Sequence, residues 1–259
     1  MASTHSGEKP IAVIAGVGNG SGTGGATARI FAKAGYRVAL IARNADLLKE
    51  TAQAINAAGG EAAPFPIAAY DTKSIEGVFA TIKSQWPSSP LKVAVYNAAH
   101  GAWKPFLELK EDDIEQSVNV NIIAAFAFAR QSILAFQQVK ELDASGKKGT
   151  LIFTGATASI RGNTTTASFA AGKHGLRALS QSLNKEFGKQ NIHVAHVIID
   201  GVILTDRTQS YINLGEGWTE DKNRRLDPES IAKSYFYLAN QDNSAFTWEL
   251  DLRPAHEKW

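Results

Sequence analysis

The sequence predicts an α/β fold, in which a doubly wound, mostly parallel sheet of seven strands carries helices on both faces. Three observations support this prediction. Short apolar runs alternate with longer helix-like runs along the whole chain. The short runs are apolar at successive positions, as strands buried on both sides of a parallel sheet are. A glycine-rich segment directly follows the first short run, where such folds turn from strand into helix.

The short and long runs assign seven strands and six helices in order. Gly35 and Gly59 are typical helix ends, and right-handed crossovers between successive strands give a doubly wound sheet. The predicted strands are Ile11–Ala15, Arg37–Ala42, Ala62–Ile67, Lys92–Tyr96, Thr150–Thr154, His193–Ile199 and Thr247–Leu252. The predicted helices are Gly25–Ala34, Ala45–Ala58, Ile75–Trp86, Asp112–Gln138, Phe169–Gly188 and Pro228–Asn240.

Length and composition exclude several classes of protein. The 259 residues are a common size for one α/β domain, so we expect a single domain over residues 1–259. The absence of cysteine excludes disulfides, thiolate metal sites and a cysteine nucleophile, and we expect no metal. The 27 basic and 25 acidic residues leave a net charge of +2, which gives no electrostatic basis for binding nucleic acid or an anionic membrane.

The N-terminus and the most apolar segment predict a location in the cytoplasm. Residues 1–10 are polar and lack the apolar core of a signal peptide. The best apolar stretch, Val118–Phe136, is interrupted by Asn119, Asn121 and Arg130, and a membrane span needs about 18 apolar residues. We therefore expect a cytoplasmic protein without a membrane partner.

The glycine-rich segment after the first strand predicts a nucleotide site. Residues 16–25 contain six glycines, and a predicted helix follows them. Glycines let the backbone approach a pyrophosphate, and the N–H groups of a helix N-terminus bind it. In this strand–turn–helix context the segment indicates the dinucleotide-binding turn of a Rossmann fold. A flexible surface loop is the alternative.

The end of the second strand indicates which dinucleotide is bound. A site for NAD usually places a carboxylate here to hold the ribose 2′-hydroxyl, whereas a 2′-phosphate requires an arginine. The sequence has Ala42 followed by Arg43, which can pair with a phosphate and stack on adenine. This pattern predicts NADP(H), and a solvated arginine is the alternative.

Further motifs resemble those of the short-chain dehydrogenase/reductase family, and the resemblance covers about residues 11–253. Residues 96–99, Tyr-Asn-Ala-Ala, stand where the family has Asn-Asn-Ala-Gly. Asn121 matches the active-site asparagine of the family, and Lys173 matches the lysine of its Tyr-x-x-x-Lys motif. Residues 200–205 stand where the family has Pro-Gly-x-Val-x-Thr, which receives the nicotinamide carboxamide.

Together, the residues and the resemblance give a set of candidate site residues. The candidate catalytic residues are Asn121, Lys173 and Asp200. The candidate cofactor-binding residues are Gly16, Gly18, Gly22, Thr23, Gly24, Arg43, Asn97, Ala98, Lys173, Ile203 and Thr205. The resemblance also implies a homodimer or homotetramer, because the family usually pairs its two long helices across a two-fold axis.

The chain departs from the family at two catalytic positions. Phe169 stands where the family has its tyrosine, and Ala156 stands where it has its serine. This pattern resembles an atypical branch that includes fungal reductases of alkaloid biosynthesis acting on imine-like groups. A positioned general acid raises the rate of such a reaction by about 10²–10⁴-fold. Neither Phe169 nor Ala156 can donate a proton, so the sequence leaves open which group does. Lysine also holds the nicotinamide ribose in the family, and that role survives the loss of tyrosine.

Several residues are candidates to replace the missing hydroxyls. Asp200 is the first candidate to stabilise a cationic substrate or to donate a proton, with a strand-end cap as the alternative. His100 titrates near neutral pH, but a surface role is the more frequent one. Thr157 and Ser159 offer hydroxyl groups of ordinary pKa and are more often structural. Substrates that are already cationic, such as iminium ions, are then expected to react in preference to simple ketones.

The sequence therefore predicts an NADP(H)-dependent oxidoreductase that transfers hydride to or from a small organic carbonyl or imine/iminium compound at a non-standard active site. A non-catalytic NADP(H)-binding sensor or scaffold is the alternative. Residues 205–226 form a long irregular connection between a strand and a helix, which makes them a candidate substrate lid.

Overall fold

The computed structural model describes residues 8–211 and 215–257, and it confirms the predicted α/β architecture. The seven strands form one sheet in the order β3-β2-β1-β4-β5-β6-β7. Each strand pairs with its neighbours in parallel. The strands are β1 (Ile11–Ala15), β2 (Arg37–Ala42), β3 (Glu61–Pro66), β4 (Leu91–Tyr96), β5 (Gly149–Thr154), β6 (Ile192–Ile199) and β7 (Glu249–Leu252).

Helices connect the strands and begin where the sequence supplies caps. Asn44 accepts hydrogen bonds from the Asp46 and Leu47 amides, which fixes the start of the second helix. The α-helices within the described ranges are α1 (Thr23–Lys33), α2 (Ala45–Ala57), α3 (Thr72–Gln85), α4 (Glu111–Val118), α5 (Ala124–Gln137), α6 (Ala167–Phe187), α7 (Asp206–Tyr211) and α8 (Pro228–Asn240).

The structure differs from the prediction within the long central helix. The helix expected over Asp112–Gln138 consists of α4, a π-helical turn at Asn119–Ile123, and α5. A π-helical turn inserts one residue into the helical repeat and is often found at functional sites. This one contains Asn121, so the interruption sets the direction of a predicted site residue.

The sheet separates two apolar cores. Val13 belongs to the core beneath α3, α5 and α6, whereas its neighbour Ile14 belongs to the core beneath α1, α2 and α8. Successive strand side chains point to opposite faces, so apolar residues at every position fill both cores. Complete burial of a side chain such as Ile14 stabilises the folded state by about 1.5–3 kcal/mol. The apolar strand pattern of the sequence is explained by this two-sided burial.

The helical run Glu111–Gln137 is long and apolar enough, by length and composition, to cross a membrane. Half of its most apolar window is buried within the fold, where Phe128 and Phe136 pack beneath the sheet. This burial is typical of a core helix of a globular domain.

The turns that follow β1, β2, β4, β5 and β6 meet at one edge of the sheet, because the strands are parallel. The candidate lid, residues 205–226, leaves from the same edge. Its two ends are held together, since the Leu204 amide donates to Leu226 and the Leu226 amide donates to Val202, each at 2.9 Å. The lid contains α7 and the buried Trp218, and its residues 212–214 lie outside the described residues.

Candidate functional site

The glycine-rich turn after β1 is shaped for close contact between backbones. Gly16 has a φ of +90°, and a Cβ at this position would lie 2.7 Å from Ala98 Cα, so only glycine fits. The Asn97 side chain donates to the Gly16 carbonyl at 2.8 Å and joins this turn to the end of β4. The predicted residues Gly16, Asn97 and Ala98 are therefore in direct contact with one another.

The N-terminus of α1 has the features of an anion site. Gly22 precedes Thr23 as the N-cap and offers no side chain to the first amides of the helix. The Thr23 hydroxyl is buried and has no hydrogen-bond partner among the described residues. Unpaired amides and a buried hydroxyl at a helix N-terminus suit a phosphate, so this turn fits the pyrophosphate of a dinucleotide.

Arg43 follows the last residue of β2 at the same edge of the sheet, and its side chain is exposed. Burial lowers the pKa of His100, which follows β4, and the positive charge of Arg43 lowers this pKa further. The charge of Arg43 therefore acts on the turn after β4. In the described part of the chain, Arg43 forms no ion pair that would neutralise it. Its guanidinium is therefore available to a charged group at the β2 end of the site.

Lys173 is buried at the opposite end of the site. It projects from α6, is 2% exposed, and donates from Nζ to the Thr154 carbonyl at 2.7 Å. Burial lowers the pKa of Lys173 to about 7. The ammonium lies 5.7 Å from the centre of the Phe169 ring. The position expected to carry a tyrosine therefore presents an aromatic ring beside a titratable lysine.

Asn121 is fully buried in the π-helical turn. Its Nδ2 donates to the His100 carbonyl at 2.6 Å and to the Ser117 carbonyl at 2.9 Å, and its Oδ1 accepts from the His100 amide at 3.3 Å. These bonds attach the turn after β4 to the central helix. Asn121 thus holds His100, and with it the end of this turn, against the central helix.

Asp200, at the end of β6, forms a buried ion pair. Its Oδ2 lies 2.6 Å from Arg253 Nη1 and 3.5 Å from Arg161 Nη2. Its Oδ1 accepts a short hydrogen bond from the Thr157 hydroxyl. The carboxylate is 2% exposed, and these partners hold it beneath the surface of the site.

A cleft of about 590 Å³ joins the α1 N-terminus to Lys173. The lining residues come from the turns after β1, β4, β5 and β6 and from the lid. The lining residues are Gly22, Thr23, Asn97, Ala99, Trp103, Thr154–Ala158, Arg161, Asn163, Thr166, Phe169, Lys173, Ile199, Gly201–Ile203, Thr205 and Thr208. No carboxylate is present in this set of described residues.

The cleft brings together many of the predicted residues but not all of them. Gly22, Thr23, Asn97, Lys173, Ile203 and Thr205 line it. Gly16, Gly18 and Gly24 shape the turn behind it, while Ala98 packs against Gly16. Asn121 and Asp200 do not line it but are bonded to the turns after β4 and β5 that do, and Arg43 lies outside it, after β2.

Sequence reasoning did not identify two arginines that belong to the site. Arg161 lies in the connection from β5 to α6 and lines the cleft, and Arg253 follows β7 and pairs with Asp200. The position of Arg161 after a central strand was a usable signal, because such connections reach the site. Arg253 gave no local signal, since its partner is far away in the sequence. Trp103, whose ring centre lies 5.2 Å from that of Phe169, completes an aromatic wall.

Ser159 and Thr157, two of the other proposed proton donors, have structural partners. The Ser159 hydroxyl is buried and accepts from the Ala156 amide at 3.0 Å, and the Thr157 hydroxyl donates to Asp200. No group of three metal-ligating side chains converges within residues 8–211 and 215–257.

Comparisons with known proteins agree with this architecture. The family model described as short chain dehydrogenase matches residues 11–213. The short chain dehydrogenase/reductase astE of Aspergillus oryzae is 29% identical over 248 residues, which cover 92% of this chain and 90% of astE. Carbonyl reductase family member 4 of Xenopus laevis is 26% identical over 226 residues, covering 87% of this chain and 90% of the relative.

Solved structures show the same fold. A short-chain dehydrogenase from Rhodopseudomonas palustris is 29% identical and superposes with a TM-score of 0.75. The alignment covers 95% of this chain and 98% of the other.

Proposed function

This chain belongs to the short-chain dehydrogenase/reductase family of oxidoreductases, and we propose that it is an NADP(H)-dependent reductase of a small carbonyl or imine compound. The observation that carries the proposal is the cleft, with a bare helix N-terminus at one end and a buried, titratable lysine at the other. An anion site and a proton donor at the two ends of one cleft are what hydride transfer from a dinucleotide requires.

Arg43 supports NADP(H) rather than NAD(H) as the cofactor. Its exposed guanidinium follows Ala42 directly, so the end of β2 offers a positive charge and no carboxylate. A 2′-phosphate would be bound there, and a ribose 2′-hydroxyl would lack its usual acceptor. Gly22 and Thr23 would hold the pyrophosphate, while Ile203 and Thr205 would meet the carboxamide.

When bound, the nicotinamide supplies or accepts the hydride. Reduction of a carbonyl also needs a proton at the substrate oxygen, and neither Phe169 nor Ala156 can donate one. In this proposal the Lys173 ammonium gives its proton to that oxygen and is left as a neutral amine. A pKa of about 7, caused by burial, places this exchange at neutral pH. Lys173 would also hold the nicotinamide ribose.

Asn121 and Asp200 act as positioning residues in this proposal. Asn121 fixes the turn after β4 through His100, and Asp200 fixes Thr157 and Arg161 on the wall of the cleft. The carboxylate of Asp200 is already paired with Arg253, so neutral carbonyls and imines suit this cleft better than cationic substrates.

Steady-state consumption of NADPH tests the proposal. The purified protein is mixed with NADPH and a panel of ketones, quinones, cyclic imines and iminium salts, and the absorbance of NADPH is followed. Turnover of a carbonyl or neutral imine is the expected result. Calorimetry with NADPH and NADH, run alongside, measures cofactor binding independently of turnover.

A non-catalytic NADP(H) binder is the second candidate function. Ala156 and Phe169 favour it, since the two hydroxyl-bearing residues of the family are both absent. It predicts that NADPH binds tightly and that no electrophile in the panel consumes it. That combination of results would favour a sensor or scaffold and end the reductase proposal.

We also propose that the protein assembles as a homodimer or homotetramer through the α5–α6 face. Ile123, at the end of the π-helical turn, and Phe126 and Leu134, on α5, are each more than 40% exposed, although they are apolar. Phe128 and Leu176, on the same pair of helices, lie entirely in the core and are not available for this contact. Light scattering at micromolar concentration should give a dimer or tetramer, and Phe126→Glu should shift it towards the monomer. A monomeric wild-type protein contradicts this prediction.

The segment 205–226 enters the proposal as a lid over the substrate. Thr205 and Thr208 line the cleft, and Asp206 accepts a hydrogen bond from Asn19 at 2.8 Å, which links α7 to the glycine-rich turn. Binding of the dinucleotide to that turn would therefore influence the position of the lid.

A further inference from the structure

We propose that Arg161 binds an anionic group of the substrate, so that the cleft selects a small ring compound carrying a carboxylate. This inference rests on the proposed function, because the substrate is the compound that meets the nicotinamide end of the cleft. Arg161 belongs to the β5–α6 connection, which also carries Ala156 and leads into Phe169.

The charge of the cleft favours an anion. Among its described lining residues, only Arg161 and Lys173 carry side chains that are cationic when protonated, and no lining residue carries a carboxylate. A cleft with one sign of charge concentrates ligands of the opposite sign. A cationic substrate would instead meet two groups of its own sign.

Asp200 leaves the Arg161 guanidinium open to a further partner. The Asp200 carboxylate is closer to Arg253, at 2.6 Å, than to Arg161, at 3.5 Å, and it also accepts from Thr157. The Arg161 side chain is 44% exposed, whereas Asp200 is 2% exposed. A guanidinium has five N–H donors in a planar fork, so one edge can face Asp200 while another binds a carboxylate in bidentate fashion.

The position of Arg161 separates it from the anionic groups expected on the cofactor. The pyrophosphate site follows β1 and the 2′-phosphate site follows β2, whereas Arg161 follows β5. Strand β4 lies between β1 and β5, so two strand spacings, about 10 Å, separate the elements. Arg161 therefore faces the substrate side of the cleft.

The wall beside Arg161 suits a flat ring. The Phe169 and Trp103 rings lie 5.2 Å apart at an angle of 41°, and Trp103 is 58% exposed. Both rings line the cleft with Arg161. Aromatic side chains favour offset or edge contacts with other rings. An aromatic or cyclic substrate could contact this wall while its carboxylate reaches Arg161.

The connection that carries Arg161 is held in a strained conformation. Thr165 has a φ of +64°, which is unusual for a β-branched residue. The Lys104 amide donates to the Thr165 carbonyl at 3.1 Å, and the Asn163 amide donates to the Thr166 hydroxyl at 2.9 Å. Such strain is often found where a loop must present a side chain to a ligand. The connection is thus held in place at residues 163–166, directly after the turn that carries Arg161.

Binding of a matched pair of probes tests this assignment without requiring turnover. Calorimetry measures 2-naphthoate and 2-naphthamide, which share a ring system and differ in charge, on protein saturated with NADP⁺. We expect the wild type to bind naphthoate about tenfold more tightly or better, as for one charge-assisted contact. Arg161→Gln should remove most of the difference, because only the buried Lys173 then remains as a cation in the lining, and Arg161→Lys should keep more of the difference than Arg161→Gln does.

Lys189→Gln is the matched control. Lys189 is exposed in the turn before β6, at the opposite edge of the sheet, so this variant removes one positive charge far from the cleft and should keep the preference. The proposal is overturned if wild-type protein binds naphthoate no better than naphthamide, fails to bind it at millimolar concentration, or keeps its preference in Arg161→Gln.

Separate titrations distinguish this proposal from the proposed function. NADPH affinity is measured for each variant, and Arg161→Gln should leave it within about twofold, because Arg161 does not reach the cofactor phosphates. If NADPH does not bind to the wild type, the proposed function fails. The naphthoate titration on protein without cofactor then still decides whether Arg161 binds a carboxylate.

Discussion

The glycine-rich turn after β1 and the β5–α6 connection line the same cleft, but they are built from different interactions. The turn depends on backbone, since Gly16 makes room for Ala98 and the first amides of α1 point outward without a side-chain cap. The connection depends on side chains, since Thr157 and Arg161 are held by Asp200 from β6. Asp200 is in turn held by Arg253, beyond β7.

This difference determines which substitutions each region can accept. A backbone turn works only with particular φ values and close contacts, so substitutions at Gly16 are excluded by sterics. A side-chain network can exchange one hydrogen-bonding group for another while the strands beneath it stay in place. We therefore expect the turn after β1, on the cofactor side, to stay close to the family pattern, whereas the β5–α6 connection and the start of α6, on the catalytic side, carry Ala156 and Phe169 at the positions where we expect the serine and tyrosine of the family.

The largest effect expected on the catalytic side is that of Lys173→Met. Methionine fills a similar volume without a proton to donate, so turnover of a carbonyl substrate should fall by about 10²–10⁴-fold. In the wild type, reduction needs the ammonium form, so its rate should fall as the pH rises through about 7, the pKa of Lys173. Stopped-flow measurement of NADPH oxidation from pH 5.5 to 9 gives both results.

The stability of the same variant provides the control. The folded-state pKa of Lys173 is below its ordinary value of 10.5, so between about pH 7 and 10 the unfolded chain binds more protons than the folded one. This contribution makes the free energy of unfolding of the wild type rise with pH in that window. Lys173→Met should lose the rise, as measured by urea unfolding at several pH values. A pH-independent turnover in the wild type would argue against Lys173 as the donor.

The next effect concerns the network behind the cleft. Asp200→Asn removes the charge that binds Arg253 and Thr157, and loss of charge-assisted hydrogen bonds from this buried position should cost about 1.5–3 kcal/mol of unfolding free energy. Asp251→Asn is the matched control, because its carboxylate also faces Arg253 but is 37% exposed. The control should cost less than about 1 kcal/mol. Equal losses of unfolding free energy in both variants would show that the burial of Asp200 does not strengthen its pairing with Arg253.

The fold was predictable because each strand and helix carries its own local pattern. Ile11–Ala15 and Arg37–Ala42 were located to the residue, since continuous apolar runs are required by burial on both faces. The π-helical turn at Asn119–Ile123 was not predicted, because helical periodicity does not show where one extra residue is inserted. The Asp200–Arg253 pair was also missed, because it depends on which strands become neighbours in space.

On the cofactor side, the expected effect is smaller and more selective. Arg43→Ala removes the exposed guanidinium after β2, and loss of one pairing with a phosphate should weaken NADPH binding by about 1.5–3 kcal/mol. NADH has no 2′-phosphate, so its affinity should stay nearly unchanged and serves as the internal control. Calorimetry with both cofactors measures the difference. Equal affinity of the wild-type protein for NADPH and NADH would contradict the assignment of Arg43.

The smallest effect expected is a gain of activity in Phe169→Tyr combined with Ala156→Ser. If the catalytic side differs from the family only in its hydroxyls, the restored tyrosine would lie beside Lys173, whose Nζ is now 5.7 Å from the ring centre. Carbonyl reduction should then rise by up to about tenfold, well below the full range for a general acid. The gain is limited because Trp103 packs against the ring and Thr157 and Arg161 stay bound to Asp200. Steady-state rates of the double variant and of each single variant measure it.

A rise only in the double variant would mean that the lysine and the strands beneath it are still arranged for the ordinary chemistry. A fall in all three would show that the cleft has been rebuilt around the phenylalanine ring, and that its difference from the cofactor side extends beyond two hydroxyl groups.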